Sequence, residues 1–173
     1  MLREFDGHKP KIHSSAYISK NCLVIGRVSA GENVSIWPGC VLRADVEEII
    51  IGSNTNIQDG VLIHTNHSLP VIIGKNVTVG HGAIIHGCTI GSNCLIGMGA
   101  IILDGAVIED NCIIGAGALV TERFKVTEGN LMLGIPAKPA RHITQEDMAE
   151  IYRSADEYIK LAEVHRKDID ENP

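Results

Sequence analysis

A six-residue period is the feature of this sequence that most restricts the fold it can adopt. Branched aliphatic residues recur at this spacing without a break from position 90 to position 120, and shorter runs keep the same spacing upstream. An α-helix turns every 3.6 residues, so it cannot hold a six-residue period on one face, and abundant Gly, Val and Ile also disfavour helix. The period therefore predicts short strands that are separated by turns. Its members are Ala30, Ile36 and Leu42; Ile51, Ile57 and Ile63; Ile73, Val79 and Ile85; and Ile90, Ile96, Ile102, Ile108, Ile114 and Val120.

The fifth position of each six-residue unit indicates how such a chain fills its interior. That position carries a small or β-branched residue, and aromatic residues make up only 3% of the chain. Because alternate residues of a strand point to the same side, we expect the first and fifth positions to face inward together. The cysteines of this set are therefore predicted to be packed, unreactive thiols, and the lack of any C-x-x-C spacing argues against a thiolate zinc site. The fifth positions are Cys40, Thr55, Val61, Val77, Ala83, Cys94, Ala100, Ala106, Cys112 and Ala118.

This pattern resembles that of the hexapeptide-repeat proteins, and the resemblance covers residues from about 12 to 133. It implies a left-handed parallel β-helix in which three six-residue units form one triangular turn, so that residues about 18 apart stack. Strands of neighbouring turns would then lie about 4.8 Å apart. The predicted fold class is mainly β, a left-handed parallel β-helix of hexapeptide repeats with a C-terminal α-helix packed on the outside.

The end of the chain follows a different pattern, which predicts that helix. Thr144 precedes polar and acidic residues, as at a helix N-terminus, and apolar residues from Met148 to Ala162 recur on one helical face. The Pro-containing segment before it indicates a stiff connector. We therefore divide the chain into a β-helix domain at 1–133, a connector at 134–143 and a C-terminal helix at 144–171.

Charge and hydropathy restrict the kinds of partner that we expect. The net charge of −6 gives no basic surface of the kind that binds nucleic acid or anionic lipid. No stretch approaches the roughly 20 apolar residues of a membrane span, and the first residues lack the pattern of a secretory signal. We expect a cytoplasmic protein that has neither nucleic acid nor a membrane as its partner.

The period also predicts which histidines stack. His64 and His86 each directly follow the aliphatic residue of the third strand of a turn. They should therefore lie side by side in successive turns, with their side chains outward and parallel. A polar insertion at 66–70 lengthens the spacing between them, and Arg43 lies in the same column one turn earlier.

His81 is predicted to lie on a different face, above Asp59, where it cannot easily reach His64 and His86 of its own chain. It could reach them across a contact between neighbouring chains, and three such contacts close into a ring. Three imidazoles leave the fourth position of Zn²⁺ open, which is the usual arrangement of a catalytic zinc site. The alternative is a polar surface row of histidines that only make hydrogen bonds.

Four segments of the chain resemble the gamma-class carbonic anhydrases, and this likeness extends over nearly the whole sequence. They are Arg-Ala-Asp at 43–45, Asn-Ile-Gln-Asp-Gly at 56–60, His-Thr at 64–65 and Gly-His-Gly-Ala-Ile-Ile-His-Gly-Cys at 80–88. The resemblance implies a homotrimer that binds Zn²⁺, with Fe²⁺ or Co²⁺ as alternatives, at each subunit interface. The implied ligands are His64 and His86 of one chain and His81 of its neighbour.

The same resemblance implies the reaction and the roles of further residues. The reaction is the reversible hydration of CO₂ to bicarbonate by metal-bound hydroxide, since zinc lowers the pKa of bound water to about 7. Gln58, Asp45 and Arg43 match catalytic positions, and Gln58 would orient the metal-bound solvent. Arg43 and Asp59 match a pair that bridges subunits.

The chain departs from the family pattern at the residues that transfer the proton released by CO₂ hydration to solvent. Archetypal members carry a Glu directly after the Asp that Asp45 matches, and a second Glu on an acidic insertion. Here Val46 follows, and the insertion at 65–72 has no carboxylate, which leaves His67 as the proton-shuttle candidate. Two alternatives stay open. One is a hexapeptide-repeat acyltransferase that uses acetyl-CoA with a His as general base, and the other is a catalytically weak trimeric metal-binding scaffold.

Overall fold

The structure is a computed structural model that describes residues 1–171 of the chain. This part folds as a parallel β-helix of about seven turns followed by one helix, which confirms the predicted fold class. Most strands pair in parallel with the strands one turn before and one turn after them, as β11 does at Ile85 with Ile63 and Ile102. The elements are β1 (Leu2–Arg3), β2 (Lys11–Ile12), β3 (Tyr17–Ile18), β4 (Leu23–Ala30), β5 (Ser35–Ile36), β6 (Val41–Ile51), β7 (Asn56–Ile57), β8 (Leu62–His64), β9 (Val71–Ile73), β10 (Thr78–Val79), β11 (Ile84–His86), β12 (Thr89–Ile90), β13 (Leu95–Ile96), β14 (Ile101–Ile102), β15 (Val107–Ile108), β16 (Ile113–Ile114), β17 (Leu119–Val120), β18 (Lys125–Val126), β19 (Asn130–Leu133), β20 (Lys138–His142) and α1 (Gln145–Glu171).

Strand β6 is longer than most and bends around a corner between two faces. Its residues 41–43 pair with β8, and its residues 49–51 pair with β9. The part of β6 between these pairings carries Asp45 and Glu47, which therefore lie at the corner next to the end of β8.

The interior is a continuous column of aliphatic side chains. The first and fifth positions of the repeat face inward, as predicted, and the largest fully buried side chains are nearly all isoleucines of the periodic series. The buried location predicted for Cys40, Cys94 and Cys112 is confirmed. Burial raises the pKa of Cys40 to about 11 and that of Cys88 to about 12, so these thiols are protonated and poor nucleophiles at neutral pH.

One corner of the β-helix carries a column of asparagines, which we call the asparagine ladder. Each side-chain amide donates to the carboxamide oxygen of the asparagine one turn later, at 3.0–3.2 Å, and the last one donates to Glu128 at 2.7 Å. All members have positive φ angles between 54° and 61°, a conformation that Asn tolerates better than most residues. The ladder consists of Asn33, Asn54, Asn76, Asn93 and Asn111.

Helix α1 begins where the sequence predicts and packs on the face formed by β3, β5, β7 and β10. Thr144 caps it, because its hydroxyl accepts from the Asp147 N–H at 3.2 Å while the Asp147 carboxylate accepts from the Thr144 N–H at 2.7 Å. Ser154 forms a hydrogen bond with Thr78 at 3.0 Å, and Ile151 is fully buried. Within the described residues, no helix is long and apolar enough to cross a membrane.

The predicted connector at 134–143 contains a strand that its composition did not predict. Strand β20 folds back and pairs antiparallel with β19, with a register shift between Leu131 and Met132. Pro139 lies within this pairing, and the strand is exposed along its length, as expected for Pro in an edge strand. The segment therefore closes the last turn of the β-helix before α1 begins.

Candidate metal centre

Strands β8 and β11 bring two histidines together on the outside of the β-helix. The strand register pairs His64 directly with His86, and it pairs Arg43 of β6 with His64. The stacking that the period predicts is thus confirmed. His64 Nδ1 and His86 Nε2 lie 3.0 Å apart, and we call these two residues the histidine pair.

A carboxylate contacts the outer nitrogen of each ring in the histidine pair. Asp45 Oδ1 lies 3.1 Å from His64 Nε2, and Asp104 Oδ1 lies 2.6 Å from His86 Nδ1. Partial burial alone raises the pKa of both carboxyl groups, but hydrogen bonds outweigh it, from Arg43 and His64 to Asp45 and from Asn66 and His86 to Asp104. The pKa of each carboxyl group therefore lies below its usual value, and both groups are ionised at neutral pH.

These contacts fix the hydrogen positions in the histidine pair. An ionised carboxylate only accepts hydrogen bonds, so the outer nitrogens of His64 and His86 carry the N–H groups, and a neutral imidazole has just one. When both rings are neutral, the two inner nitrogens direct lone pairs at each other across 3.0 Å. A shared cation relieves that repulsion, and nitrogens bound tetrahedrally to one Zn²⁺ at ~2.1 Å lie about 3.4 Å apart. The donor set therefore fits a metal ion.

His81 lies on a different corner, at the turn after β10. Its Nδ1 is 3.0 Å from Asp59 Oδ2, and its side chain is 47% exposed. Among the described side chains, which are those of residues 1–167, no group of three or more His, Cys, Asp or Glu is placed to hold a metal ion. One chain thus brings Arg43, Asp45 and the histidine pair together but leaves His81 and Asp59 apart from them.

Gln58 and Arg43 each have contacts within the chain. Gln58 is buried, and its Nε2 donates to Asn56 Oδ1 at 3.1 Å. Asn56 in turn donates to Thr78, so this amide is held by the face that α1 covers. Arg43 Nη1 donates to Asp45 Oδ2 at 2.6 Å, and the predicted bridge from Arg43 to Asp59 stays a prediction about two chains.

The insertion that carries His67 forms a tight loop with two anchors. The backbones of Asn66 and Leu69 exchange hydrogen bonds, while the exposed His67 lies between them. Glu47 Oε1 accepts from the Ser68 N–H at 3.2 Å, and Asn66 Nδ2 donates to Asp104 Oδ2 at 2.7 Å. Glu47 is half-buried, and its contact with the Ser68 backbone helps to hold the loop.

Asp104 is the site residue that the sequence analysis missed. It lies 18 residues after His86, which is about one turn of the β-helix. The six-residue series shortens between Ile85 and Ile90, so the strand register places Ile102 opposite Ile85 and puts Asp104 beyond the strand end. An acidic residue one turn after a stacked histidine is the signal that could have found it.

Comparison with known proteins supports the sequence pattern and the fold. A family model described as bacterial transferase hexapeptide (six repeats) matches residues 70–102 and 87–122. Gamma carbonic anhydrase 2, mitochondrial, of Arabidopsis thaliana is 44% identical in an alignment of 171 residues that covers 95% of this chain and 61% of that protein. A carbonic anhydrase of Geobacillus kaustophilus is 40% identical over 166 residues, which are 96% of this chain and 91% of that protein. The chain belongs to the gamma carbonic anhydrase family.

A solved structure extends the comparison to three dimensions. A hexapeptide transferase family protein from Anaplasma phagocytophilum superimposes with a TM-score of 0.91 at 43% sequence identity, over 94% of this chain and 96% of that chain. This chain spans about three fifths of the length of the plant gamma carbonic anhydrase and nearly all of the bacterial relatives.

Proposed function

We propose that this chain is a gamma-type carbonic anhydrase that interconverts CO₂ and bicarbonate. The observation that carries the proposal is the histidine pair, whose inner nitrogens face each other 3.0 Å apart in a member of this family. Zn²⁺ is the proposed metal, with Fe²⁺ or Co²⁺ as alternatives. The proposed ligands are His64 and His86 of one chain and His81 of the next, in a homotrimer of a cytoplasmic protein.

An exposed apolar column next to the histidine pair supports a contact with a second copy. The outward residues of β8 and β11, Leu62 and Ile84, are 45% and 37% exposed and lie two residues before His64 and His86. The strand register continues this column to Val41 on one side and to Ile101 and Leu119 on the other. Burial of such a column is favourable, at roughly 25 cal/mol per Å². A neighbouring chain that covers it would bring one of its own corners close to the histidine pair.

The chain's own residues have distinct tasks in this reaction. A bound divalent metal supplies the Lewis acidity that lets water lose a proton near neutral pH. Asp45 and Asp104 hold the two imidazoles so that their inner nitrogens stay free of hydrogen. Gln58 provides an amide that can hydrogen-bond the attacking water, and Arg43 holds Asp45 in place.

The proton that the reaction releases suggests a role for the loop that carries His67. Hydration of CO₂ releases one proton for each bicarbonate formed, so a group near the site has to carry that proton to solvent. His67 is exposed on a loop whose neighbouring residue Asn66 contacts the Asp104 carboxylate. Imidazole is suited to this transfer near neutral pH, and we assign the shuttle to His67.

Mixed oligomers test the shared site. We expect His81→Ala and His64→Ala to lose metal when each is expressed alone, because every site then lacks one ligand. When the two variants are coexpressed in equal amounts, three quarters of random trimers are mixed and each holds one complete site, so about a quarter of the wild-type metal content returns. Metal analysis of the purified protein measures this, with His8→Ala as the control on an exposed histidine outside the site.

The outcome of that mixing separates the alternatives. If coexpression restores no metal, the ligands do not come from two chains and the proposed trimeric site is wrong. CO₂ hydration and acetyl-CoA turnover should then be measured on one wild-type sample. Acetyl-CoA turnover without CO₂ hydration would favour the acyltransferase, and metal without either activity would favour the scaffold.

A further inference from the structure

The structure assigns a positioning role to Asp104, which we propose fixes the hydrogen of His86 on Nδ1 and so keeps Nε2 free to bind metal. This inference rests on the proposed function, because it explains how one ligand of the proposed site is prepared. Asp104 does not touch the facing nitrogens, and it acts through His86.

Both oxygens of the Asp104 carboxylate are engaged, so its orientation is fixed. Oδ1 accepts from His86 Nδ1 at 2.6 Å, and Oδ2 accepts from Asn66 Nδ2 at 2.7 Å. The side chain is 22% exposed, so water competes only in part for these contacts. Since a neutral imidazole carries one hydrogen, the contact with Asp104 decides which nitrogen has it and which keeps a lone pair. A partner of this kind sets the tautomer and orientation of a ligating histidine.

The backbone at this corner leaves room for the carboxylate. Gly87 follows His86 with φ +51°, and a methyl group in place of its hydrogen would collide with Asp104 Oδ1. The same methyl group would lie 3.2 Å from Leu69 Cβ, at the base of the loop. The glycine next to the ligand thus permits the approach of Asp104.

A second glycine and aspartate elsewhere in the β-helix provide a matched control. A methyl group at Gly91 would also collide with Asp110 Oδ1, and in addition with the backbone of Glu109 and Asp110. Asp110, however, accepts from the backbone N–H of Ser92 at 2.7 Å and contacts no histidine. Both aspartates fill a corner beside a glycine, and the contact with His86 is what distinguishes Asp104.

The experiment compares Asp104→Ala, Asp104→Asn and Asp110→Ala with the wild type. The first readout is ¹⁵N NMR of metal-free protein at a pH where the rings are neutral, which reports the tautomer of His86. The second is the affinity for Zn²⁺ measured by competition with a chromophoric chelator. We expect Asp104→Ala to give mixed His86 tautomers and a roughly 10- to 100-fold weaker Zn²⁺ affinity, the usual cost of losing such a partner. Asp110→Ala should change neither readout.

The Asp104→Asn variant separates positioning from folding. Its single amide oxygen can still accept from His86 Nδ1 when the contact with Asn66 is given up, so we expect it to retain more of the Nδ1–H tautomer, and to bind Zn²⁺ more tightly, than Asp104→Ala. An unchanged tautomer in Asp104→Ala, or an equal affinity loss in Asp110→Ala, overturns the inference. Wild-type protein that binds no metal would contradict the proposed function, whereas the NMR readout on metal-free protein would still decide the role of Asp104.

Discussion

The asparagine ladder and the histidine pair are two columns of stacked side chains that the same strand register produces. They differ in whether the stacked side chains can satisfy one another's hydrogen-bonding groups. An amide has both donors and an acceptor, so each asparagine bonds to the next, and the column continues through five residues to Glu128. A neutral imidazole has one hydrogen for two nitrogens. Because the outer N–H groups of the two neutral rings donate to the carboxylates of Asp45 and Asp104, the stack leaves two nitrogens without hydrogen facing each other.

This difference shows how a repeat can provide both stability and chemistry. In the asparagine ladder, amides stacked on successive turns satisfy one another's hydrogen bonds. In the histidine pair, imidazoles stacked on two successive turns leave two nitrogens that can bind a metal ion. The insertion at 66–70 does not disturb either column. Asn54 still reaches Asn76 at 3.1 Å, and His64 still lies opposite His86, because the extra residues form their own closed loop.

The largest expected effect comes from removing one member of the histidine pair. His86→Ala should weaken Zn²⁺ binding by more than the 10- to 100-fold that loss of an outer partner costs, because it removes a proposed ligand itself. The free energy of unfolding should change by no more than about 0.5 kcal/mol, since the side chain is outward and part-exposed. Chelator competition and urea unfolding of the metal-free protein measure the two effects. A large loss of stability would show that the pair also supports the fold.

A substitution in the middle of the asparagine ladder is expected to lower stability and to leave Zn²⁺ affinity nearly unchanged. Asn76→Gly keeps the positive φ of this position accessible but leaves the Asn54 amide and the Asn93 oxygen without their partners. We expect the free energy of unfolding to fall by about 2 kcal/mol, within the range for unsatisfied groups that are partly buried. Zn²⁺ affinity should stay within twofold of the wild type. If affinity falls as it does in His86→Ala, the two columns are not independent.

The fold could be predicted from the sequence because its main determinant is periodic. Inward positions such as Ile57 and Ile102 recur at a fixed spacing, so the register, the core and the stacking of His64 on His86 all follow from counting. The six-residue period also predicts that His81 lies on a different face near Asp59, and the two side chains are in contact in the structure. Completion of the ligand set by a second chain stays a prediction of the proposed trimer.

The features that were missed depend on local contacts rather than on the period. Asp104 lies beyond a strand end, where the spacing shortens and the reach of a side chain decides its partner. The Pro-containing segment that forms β20 indicates a stiff connector, but an antiparallel edge pairing with a register shift accommodates Pro139 in a strand. The ladder was missed since asparagines at turns indicate positive φ angles and say little about which amide they bond.

The smallest effect is expected at the end of the ladder. Asn111→Gly removes the acceptor of Asn93 and the donor to Glu128, but Glu128 is exposed and water can replace the lost contact. One unsatisfied group then remains in place of two, so the free energy of unfolding should fall by about 1 kcal/mol, half the cost at Asn76. Urea unfolding of both glycine variants under one set of conditions makes this comparison. Equal losses at the two positions would mean that the ladder acts as one cooperative unit, in which the position of the break does not matter.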